Sequence, residues 1–265
     1  MKFGKYLAVV VIAVQQAAAA RVVFLGRIAF YAVLLVIYAR IWSMVGHASA
    51  SAAASSFGRA DLIWYLAVTE WIALSIPPLH TDIEADIRSG NIVYQLTRPI
   101  SYFWMRFAEG LGTLLMRMAA LSVFGFALSA FLSGGLPSGG PLALICGALT
   151  AVVAAALNLL FYAVIGLSAF FIEDTSPVYW VWQKLAFVFG GLMFPLDMYP
   201  ASLQRVASFT PFPSLLYAPG RIAIGAEPAF VWRSTLVLAA WAVLATVFAQ
   251  YAFRRARRAL ELNGG

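Results

Sequence analysis

Cysteine and histidine are scarce in this 265-residue chain, which contains one cysteine and two histidines. The lone Cys146 excludes a framework of internal disulfides. His47 and His80 do not form the HExxH pattern of a zinc protease, and no predicted span contains a histidine that would activate a serine nucleophile. These absences predict that the chain has no metal site and is not a hydrolase.

Lysine is also scarce, with only Lys2, Lys5 and Lys184 in the whole chain. The phosphate-binding loop of nucleotide hydrolases has the pattern GxxxxGK followed by Ser or Thr, because its backbone and its lysine hold the phosphates. None of the three lysines follows such a glycine frame. We therefore predict that the chain is not an enzyme and binds no cofactor of its own.

Charged residues make up only 11% of the chain, whereas 63% of the residues are hydrophobic and the mean hydropathy is +0.86. Soluble domains typically carry about 25% charged and about 45 to 50% apolar residues. The composition therefore predicts an integral membrane protein embedded in the lipid bilayer. Although the net charge is +7, no soluble segment is long enough to form a basic face for DNA or RNA, so no nucleic-acid partner is expected.

Six apolar stretches are long enough, or nearly so, for the roughly 20-residue helix that crosses a bilayer. They predict an all-α fold with six transmembrane helices in a single transmembrane domain over residues 1–265. The small-residue run at 47–58 after the first stretch predicts an exposed loop. The predicted spans are residues 23–45, 61–79, 107–132, 141–171, 178–194 and 230–253.

The distribution of basic residues predicts the orientation of these spans. Eleven of the 18 lysine and arginine residues fall on the side of the amino terminus, five fall on the opposite side and two lie within spans. Cytosolic loops collect lysine and arginine. Both termini are therefore predicted to lie in the cytosol.

Residues 1–21 predict a helix that lies along the cytosolic membrane surface. Two alternatives remain open, a seventh span and a cleaved secretory signal. A helix from Tyr6 to Ala20 would be about 22 Å long, which is short of the roughly 30 Å core. Cleavage would place the basic carboxyl terminus outside, against the charge distribution.

Two connecting segments are predicted to have structure of their own. Residues 80–104 form the longest inward loop and predict a short helix, a glycine break, a second short helix and a proline stop. As a cytosolic surface, this segment is suited to docking a soluble partner. Residues 195–229 contain six prolines and predict short helices on the outer face, which either gate the bundle or only seal it.

Three polar residues are predicted at membrane depth, where a charged side chain costs roughly 2.5 to 3.5 kcal/mol and so indicates a functional candidate. Glu70 and Arg117 fall about 14 and 15 Å above the inner ends of consecutive antiparallel spans. They are predicted either to form a buried pair or to face one aqueous path. For Asn158 an interhelical hydrogen bond is favoured over a substrate contact.

Two groups of residues resemble the permease subunits of ABC transporters, in the type-2, exporter-like superfamily and its six-span bacterial branch. The first group resembles the coupling segment of that family, with the pattern IRSG and then L-x-RP, and the second resembles the pattern that follows its fifth span. The first comprises Ile87, Arg88, Ser89, Gly90, Leu96, Arg98 and Pro99. The second comprises Phe194, Pro195, Leu196, Pro200, Leu203, Pro211, Phe212 and Pro219.

This resemblance implies a permease of the bacterial cytoplasmic (inner) membrane that works with two ABC ATPase subunits and with a second permease, identical or related. ATP and Mg would be bound by the ATPases. Residues 82–99 would be a coupling helix, and the second and fifth spans would line the path for an exported amphipathic drug, peptide or lipid. The implied coupling residues are Asp82, Glu84, Asp86, Arg88, Ser89, Gly90, Arg98 and Pro99, and the implied outer gate is Phe194, Pro195, Pro211 and Phe212.

Two other functions are compatible with the residues alone. One is a secondary transporter that uses Glu70 as a proton carrier and needs no ATPase. The other is a membrane scaffold or assembly factor that transports nothing.

Overall fold

A computed structural model of the chain describes residues 2–45 and 57–263, and every regular element in these ranges is helical. This confirms the predicted all-α class for the described part of the chain. Most of the loop predicted at 47–58 lies outside the described residues. The helices are α1 (Lys2–Ala19), α2 (Arg21–Val45), α3 (Arg59–Ser75), α4 (Leu79–Arg88), α5 (Asn91–Leu96), α6 (Tyr102–Ser133), α7 (Gly140–Leu167), α8 (Ser176–Phe189), α9 (Ala201–Ser208), α10 (Phe212–Leu215), α11 (Tyr217–Ala223) and α12 (Pro228–Asn263).

Five helical stretches among the described residues are long and apolar enough to cross a bilayer. They correspond to the first, second, third, fourth and sixth of the predicted spans. The chain is therefore a multi-pass membrane protein. The five stretches are Phe24–Met44, Arg59–Arg88, Tyr102–Ser133, Gly140–Phe170 and Pro228–Arg255.

The fifth predicted span, residues 178–194, is not among these five, so a count of six spans is not confirmed. Its helix, α8, has 14 residues, which gives a length of about 21 Å against a core of roughly 30 Å. The helix stops at Gly190, and Gly191 adopts the left-handed conformation with φ +64°. A turn that glycine alone adopts without strain therefore replaces the last part of the predicted span.

Helix α3 forms the centre of the bundle, where it packs against α2, α6, α7 and α11. Its side chains from Asp61 to Ile72 are all buried. In contrast, large apolar side chains on α2, α6, α7 and α12 point outwards and are exposed, as in Val22, Phe131 and Leu142. Such an exposed apolar surface suits contact with lipid.

Helices α7 and α11 approach each other closely because Gly147 has no side chain. A Cβ atom at Gly147 would lie 2.5 Å from both the Cα and the Cβ atoms of Ala223. This contact brings α11, which follows the turn after α8, into the bundle, where Ile222 is buried. The short helices predicted within residues 195–229 are present as α9, α10 and α11.

Candidate functional site

The segment between α3 and α6 has the order that its sequence predicts. Pro77 and Pro78 separate α3 from α4, since proline supplies no N–H group to continue the helical hydrogen bonds. Gly90 joins α4 to α5 in the left-handed conformation, with φ +73°. The outcome is a helix–glycine–helix unit, α4–α5, that follows the central helix directly.

Glu84 connects α4 to the beginning of α8. Its Oε2 atom accepts a hydrogen bond from the backbone N–H of Thr175 at 3.2 Å and another from the Thr175 hydroxyl. Thr175 is the residue that precedes the first turn of α8, where helical N–H groups lack partners. Next to it, hydrogen bonds from Ser176 hold the pKa of Asp174 below its ordinary value. The carboxylate of Glu84 therefore fixes the position of one helix relative to the other.

Asp86 connects α4 to α6. Its Oδ2 atom accepts a hydrogen bond from the Tyr102 hydroxyl at 2.7 Å and another from Nε of Arg106 at 2.7 Å. Arg106 also pairs with Glu109 at 2.7 Å. Because Asp86 is buried and its carboxylate is bonded to two residues of α6, it holds α4 against that helix.

The remaining predicted coupling residues lie on the surface. Arg88 Nε lies 3.2 Å from Glu84 Oε1, but its side chain is 53% exposed. The exposed residues of this group are Asp82, Arg88, Ser89, Gly90, Arg98 and Pro99. They form the free surface of the α4–α5 unit.

An open groove of about 540 Å³ lies beside the end of α4. Its walls come from Ile87 and Arg88 on one side and from the segment after α7 on the other, where Phe171 is 58% exposed. An exposed ring and an exposed guanidinium in one groove form a surface that a folded partner can cover.

His80 and Gly166 join α4 to α7, and the sequence alone did not indicate either contact. The His80 ring stacks on the Tyr179 ring with 4.0 Å between centroids and meets the Tyr162 ring edge-on at 5.9 Å. A Cβ atom at Gly166 would lie 2.8 Å from that of Ile83. Helix α4 therefore packs tightly against the carboxyl-terminal end of α7 and the amino-terminal part of α8.

Glu70 lies in α3 and is 5% exposed. No hydrogen bond or ion pair joins its carboxylate to another described residue. It is close enough to Tyr31 and Tyr38 of α2 for its charge to act on both hydroxyl groups. Among the described residues, it is thus an acid at membrane depth without a basic partner.

The predicted buried pair of Glu70 and Arg117 is wrong. Arg117 Nη1 donates to the carbonyl oxygen of Ile76 at 3.4 Å instead. The reason is the contact between α3 and α6, where Trp71 Nε1 donates to the Met118 carbonyl at 2.8 Å. Since Trp71 and Met118 occupy this contact, Glu70 lies on the side of α2, and Arg117 reaches the end of α3 rather than its middle.

Asn158 makes the interhelical hydrogen bond that was predicted. Trp182 Nε1 of α8 donates to its Oδ1 atom at 3.0 Å. The Trp182 ring also lies 4.5 Å from the Phe161 ring and 4.8 Å from the Phe212 ring. Asn158 therefore satisfies the indole N–H in the contact between α7 and α8.

The four residues that the resemblance suggests as an outer gate lie in the segment from the turn after α8 to α10 and make different contacts. The Phe194 ring meets the Trp42 ring edge-on at 5.6 Å and is 38% exposed. Phe212 is buried against Trp182. Pro195 precedes a single 3-10 turn, and Pro211 precedes α10.

Helix α3 holds the turn after α8 through two hydrogen bonds that the sequence did not reveal. Tyr65 Oη donates to the Gly191 carbonyl at 2.5 Å, and Thr69 Oγ1 donates to the Leu192 carbonyl at 2.7 Å. Both donors are buried side chains of the central helix. The turn is consequently attached to the bundle and does not depend on α8 alone.

The connection beyond this turn has its own charged contact. Asp197 Oδ2 accepts a hydrogen bond from the Tyr217 hydroxyl at 2.9 Å and lies 3.3 Å from Arg221 Nε. Burial, together with the charge of Asp197, raises the pKa of Tyr217 above its ordinary value. This contact joins the start of α11 to the segment after α8.

Residues 24–264 match a family model described as ABC-2 family transporter protein. Comparison with curated proteins finds no match. The family match leaves out only the first 23 residues and the last one, and the helices that it covers include all five stretches able to cross a bilayer. The chain therefore belongs to the ABC-2 family of membrane permeases.

Proposed function

We propose that this permease subunit is driven by separate ATPase subunits that dock on the α4–α5 unit. The observation that carries this proposal is the position of α4. Its tip, Arg88 to Gly90, is exposed, whereas Glu84 and Asp86 bond to α8 and α6. A surface that is free on one side and attached to two further helices on the other is suited to passing on a movement.

The movement would reach the bundle through these polar contacts. Displacement of α4 carries Thr175 with it, because the Glu84 carboxylate bonds to that residue twice. It also carries the first turns of α6 through Asp86 and Arg106. Rigid-body shifts of packed helices are an established way for a local event to change the state of a whole domain.

The groove beside α4 is the proposed seat for an element of the ATPase. It presents Arg88 together with the exposed side chains of Phe171 and Ile172. An anchor of this kind combines a charged group with apolar area, as in the central parts of protein interfaces. ATP and Mg would be bound by the two ATPases, so that the energy reaches this chain through contact alone.

Two permease halves, identical or related, would form the translocation path, with α3 and α8 as its main lining. In this arrangement α8 and the turn after it serve as the fifth of six spans, and both termini lie in the cytosol of a bacterial inner membrane. The cytosolic excess of lysine and arginine supports this orientation. The α1 helix would lie along the same face.

The cargo would be amphipathic, such as a drug, a peptide or a lipid, and would leave the cell. The apolar character of the bundle supports this class of cargo. Glu70 and Asn158 supply polar groups at membrane depth. Phe194, Pro195, Pro211 and Phe212 belong to the segment whose movement would open the outer side.

A second candidate function is favoured by Glu70 alone. A buried carboxylate with no basic partner among the described residues can carry a proton across a membrane. The chain would then be a proton-coupled secondary transporter and would need no ATPase.

One experiment distinguishes the two functions. The tagged chain is purified from its host in mild detergent, the proteins bound to it are identified, and their ATP hydrolysis is assayed. The proposal expects a subunit that contains a phosphate-binding loop and hydrolyses ATP. The double variant Arg88→Glu, Arg98→Glu should lose that subunit, whereas Arg205→Glu, an exposed arginine on α9, should keep it. Recovery of the chain without an ATPase in several detergents would favour the secondary transporter.

A further inference from the structure

Two arginines from different helices meet at the end of the central helix. Arg27 of α2 donates through Nη1 to the carbonyl of Leu74 at 2.7 Å, and Arg117 of α6 donates through Nη1 to the carbonyl of Ile76 at 3.4 Å. Carbonyl groups in the last turn of a helix have no partner within the helix. Pro77 and Pro78, which follow, supply no N–H groups to them.

These carbonyls do not neutralise the two guanidinium groups. Neither arginine takes part in an ion pair with a described residue, since the pairs found there involve Arg88, Arg106 and Arg221. Arg27 acts on Arg117 as a like charge, and Asp82, which opposes this effect, forms no ion pair with Arg117 among the described residues. The pair therefore carries an excess positive charge.

One donor of this pair is buried without any partner. Arg27 Nε has no hydrogen-bond acceptor within the described part of the chain and no contact with solvent. A buried donor that is left unpaired costs about 1 to 3 kcal/mol. The guanidinium of Arg27 is therefore only partly satisfied by the described residues.

Both arginines face a cavity of about 70 Å³ between α1, α2 and α6. A single water molecule needs only about 10 to 15 Å³ measured in this way, so the cavity has room for a tetrahedral group of five heavy atoms. The Thr113 hydroxyl provides one more polar group. The cavity is lined by Ala17, Ala20, Phe24, Arg27, Thr113 and Arg117.

We propose that this cavity binds the phosphate group of an anionic phospholipid. Guanidinium groups bind phosphate through paired hydrogen bonds, and two of them would neutralise its charge. The lipid is favoured over a free phosphate because the cavity is lined by Ala20 and Phe24 and so adjoins the start of α2. There, Val22 is 83% exposed and Leu25 is 66% exposed, which is a surface suited to acyl chains.

The bound lipid would hold α1 against the bundle, because the cavity wall includes Ala17 and Ala20 at the end of α1. Arg27 belongs to α2 and Arg117 to α6, so one phosphate would join three helices at the end of α3. This inference is independent of the proposed ATPase, since every group in it belongs to this chain or to the bilayer.

Native mass spectrometry of the purified permease, stripped of lipid and then mixed with phosphatidylglycerol, tests the proposal. The Arg117→Gln variant is expected to bind this lipid about tenfold less well, which corresponds to one lost hydrogen bond to a charged group. The Arg27→Gln variant is expected to show a similar loss. Arg40→Gln, an exposed arginine of the same helix, is the matched control and should bind as the unmodified chain does.

Two further binding measurements use the unmodified chain, so that the test does not depend on the folding of a variant. Diacylglycerol, which lacks the phosphate, should bind at least tenfold less well than phosphatidylglycerol. Glycerol phosphate, which lacks the acyl chains, should not displace the lipid at equal concentration. Equal binding of diacylglycerol would overturn the phosphate site, and displacement by glycerol phosphate would overturn the assignment to a lipid.

Discussion

The carboxylate of Glu84 holds Thr175 by two hydrogen bonds across 91 positions of the sequence. Glu84 belongs to α4, which is exposed at its tip, and Thr175 marks the start of α8. At its other end, α8 is followed by a turn whose carbonyl groups accept hydrogen bonds from Tyr65 and Thr69 of the central helix. Polar contacts therefore hold both ends of α8, one end to α4 and the other end to α3.

Replacing Thr175 with Val is expected to weaken the movement of α8 while leaving the fold intact. Valine has the shape of threonine but lacks the hydroxyl that Glu84 accepts. Spin labels at Val181 of α8 and Val123 of α6, both exposed, with Cys146 replaced, would report the distance between these helices. Addition of ATP and vanadate to the complex should change this distance less in the variant than in the unmodified protein.

The matched control is Thr210→Val, whose hydroxyl bonds only to Ala207 one turn earlier. It should show the full change in distance. An equal response of Thr175→Val and of the unmodified protein would contradict a role for this contact in transmission.

Replacing Asp86 with Asn is expected to lower the free energy of unfolding by about 2 kcal/mol, since hydrogen bonds to charged groups contribute about 1.5 to 3 kcal/mol each. The amide keeps the shape but loses the charge that Arg106 and Tyr102 bind. Denaturant titration of the purified chain measures the change. Glu227→Gln, at an exposed acid before α12, should stay within about 0.5 kcal/mol, and a similarly small effect at Asp86 would show that this contact does not hold α4.

Replacing Glu70 with Gln is expected to reduce transport at least tenfold and to leave assembly unchanged, because Gln keeps the size of the side chain and removes its charge at membrane depth. Transport is measured in vesicles that contain the complex, and assembly is measured by size-exclusion chromatography. Glu227→Gln, at an exposed acid before α12, is the control. Loss of assembly in the Glu70 variant would mean that the carboxylate stabilises the bundle and does not face the path.

Replacing Gly147 with Ala is expected to destabilise the protein by about 2 kcal/mol, which is within the usual cost of overfilling a packed contact. The new Cβ atom would lie 2.5 Å from the backbone of Ala223, so α7 and α11 must separate. Gly26→Ala on α2 is the matched control, because nothing lies within 4 Å of its Cβ position. There the better helix propensity of alanine should instead stabilise the protein by up to about 1 kcal/mol, as thermal unfolding would show.

Local patterns in the sequence predicted those parts of the fold that depend on local signals. Long apolar runs predicted five of the membrane helices, since roughly 20 apolar residues have no other stable environment. The Gly90 break and the flanking prolines predicted the helix–glycine–helix unit. The interhelical bond of Asn158 was predictable because a polar amide within a membrane helix finds a partner on a neighbouring helix.

Other features depend on which face each helix turns towards its neighbours, and the sequence does not specify this. Depth alone suggested that Glu70 and Arg117 meet, but the Trp71–Met118 contact turns both side chains away from each other. The bond between Glu84 and Thr175 joins segments that are far apart in the sequence. The short length of α8 follows from Gly190 and Gly191, whose effect was hidden by the apolar residues on both sides.

The most direct test of the proposed coupling is photocrosslinking from Ser89, the exposed residue at the end of α4. A benzophenone amino acid at this position, illuminated in cells, is expected to form a covalent product with a subunit that contains a phosphate-binding loop, identified by mass spectrometry. The same amino acid at Phe209, which is 79% exposed after α9, should not form that product. Absence of the ATPase from the Ser89 products, or an equal yield from both positions, would contradict docking on the α4–α5 unit.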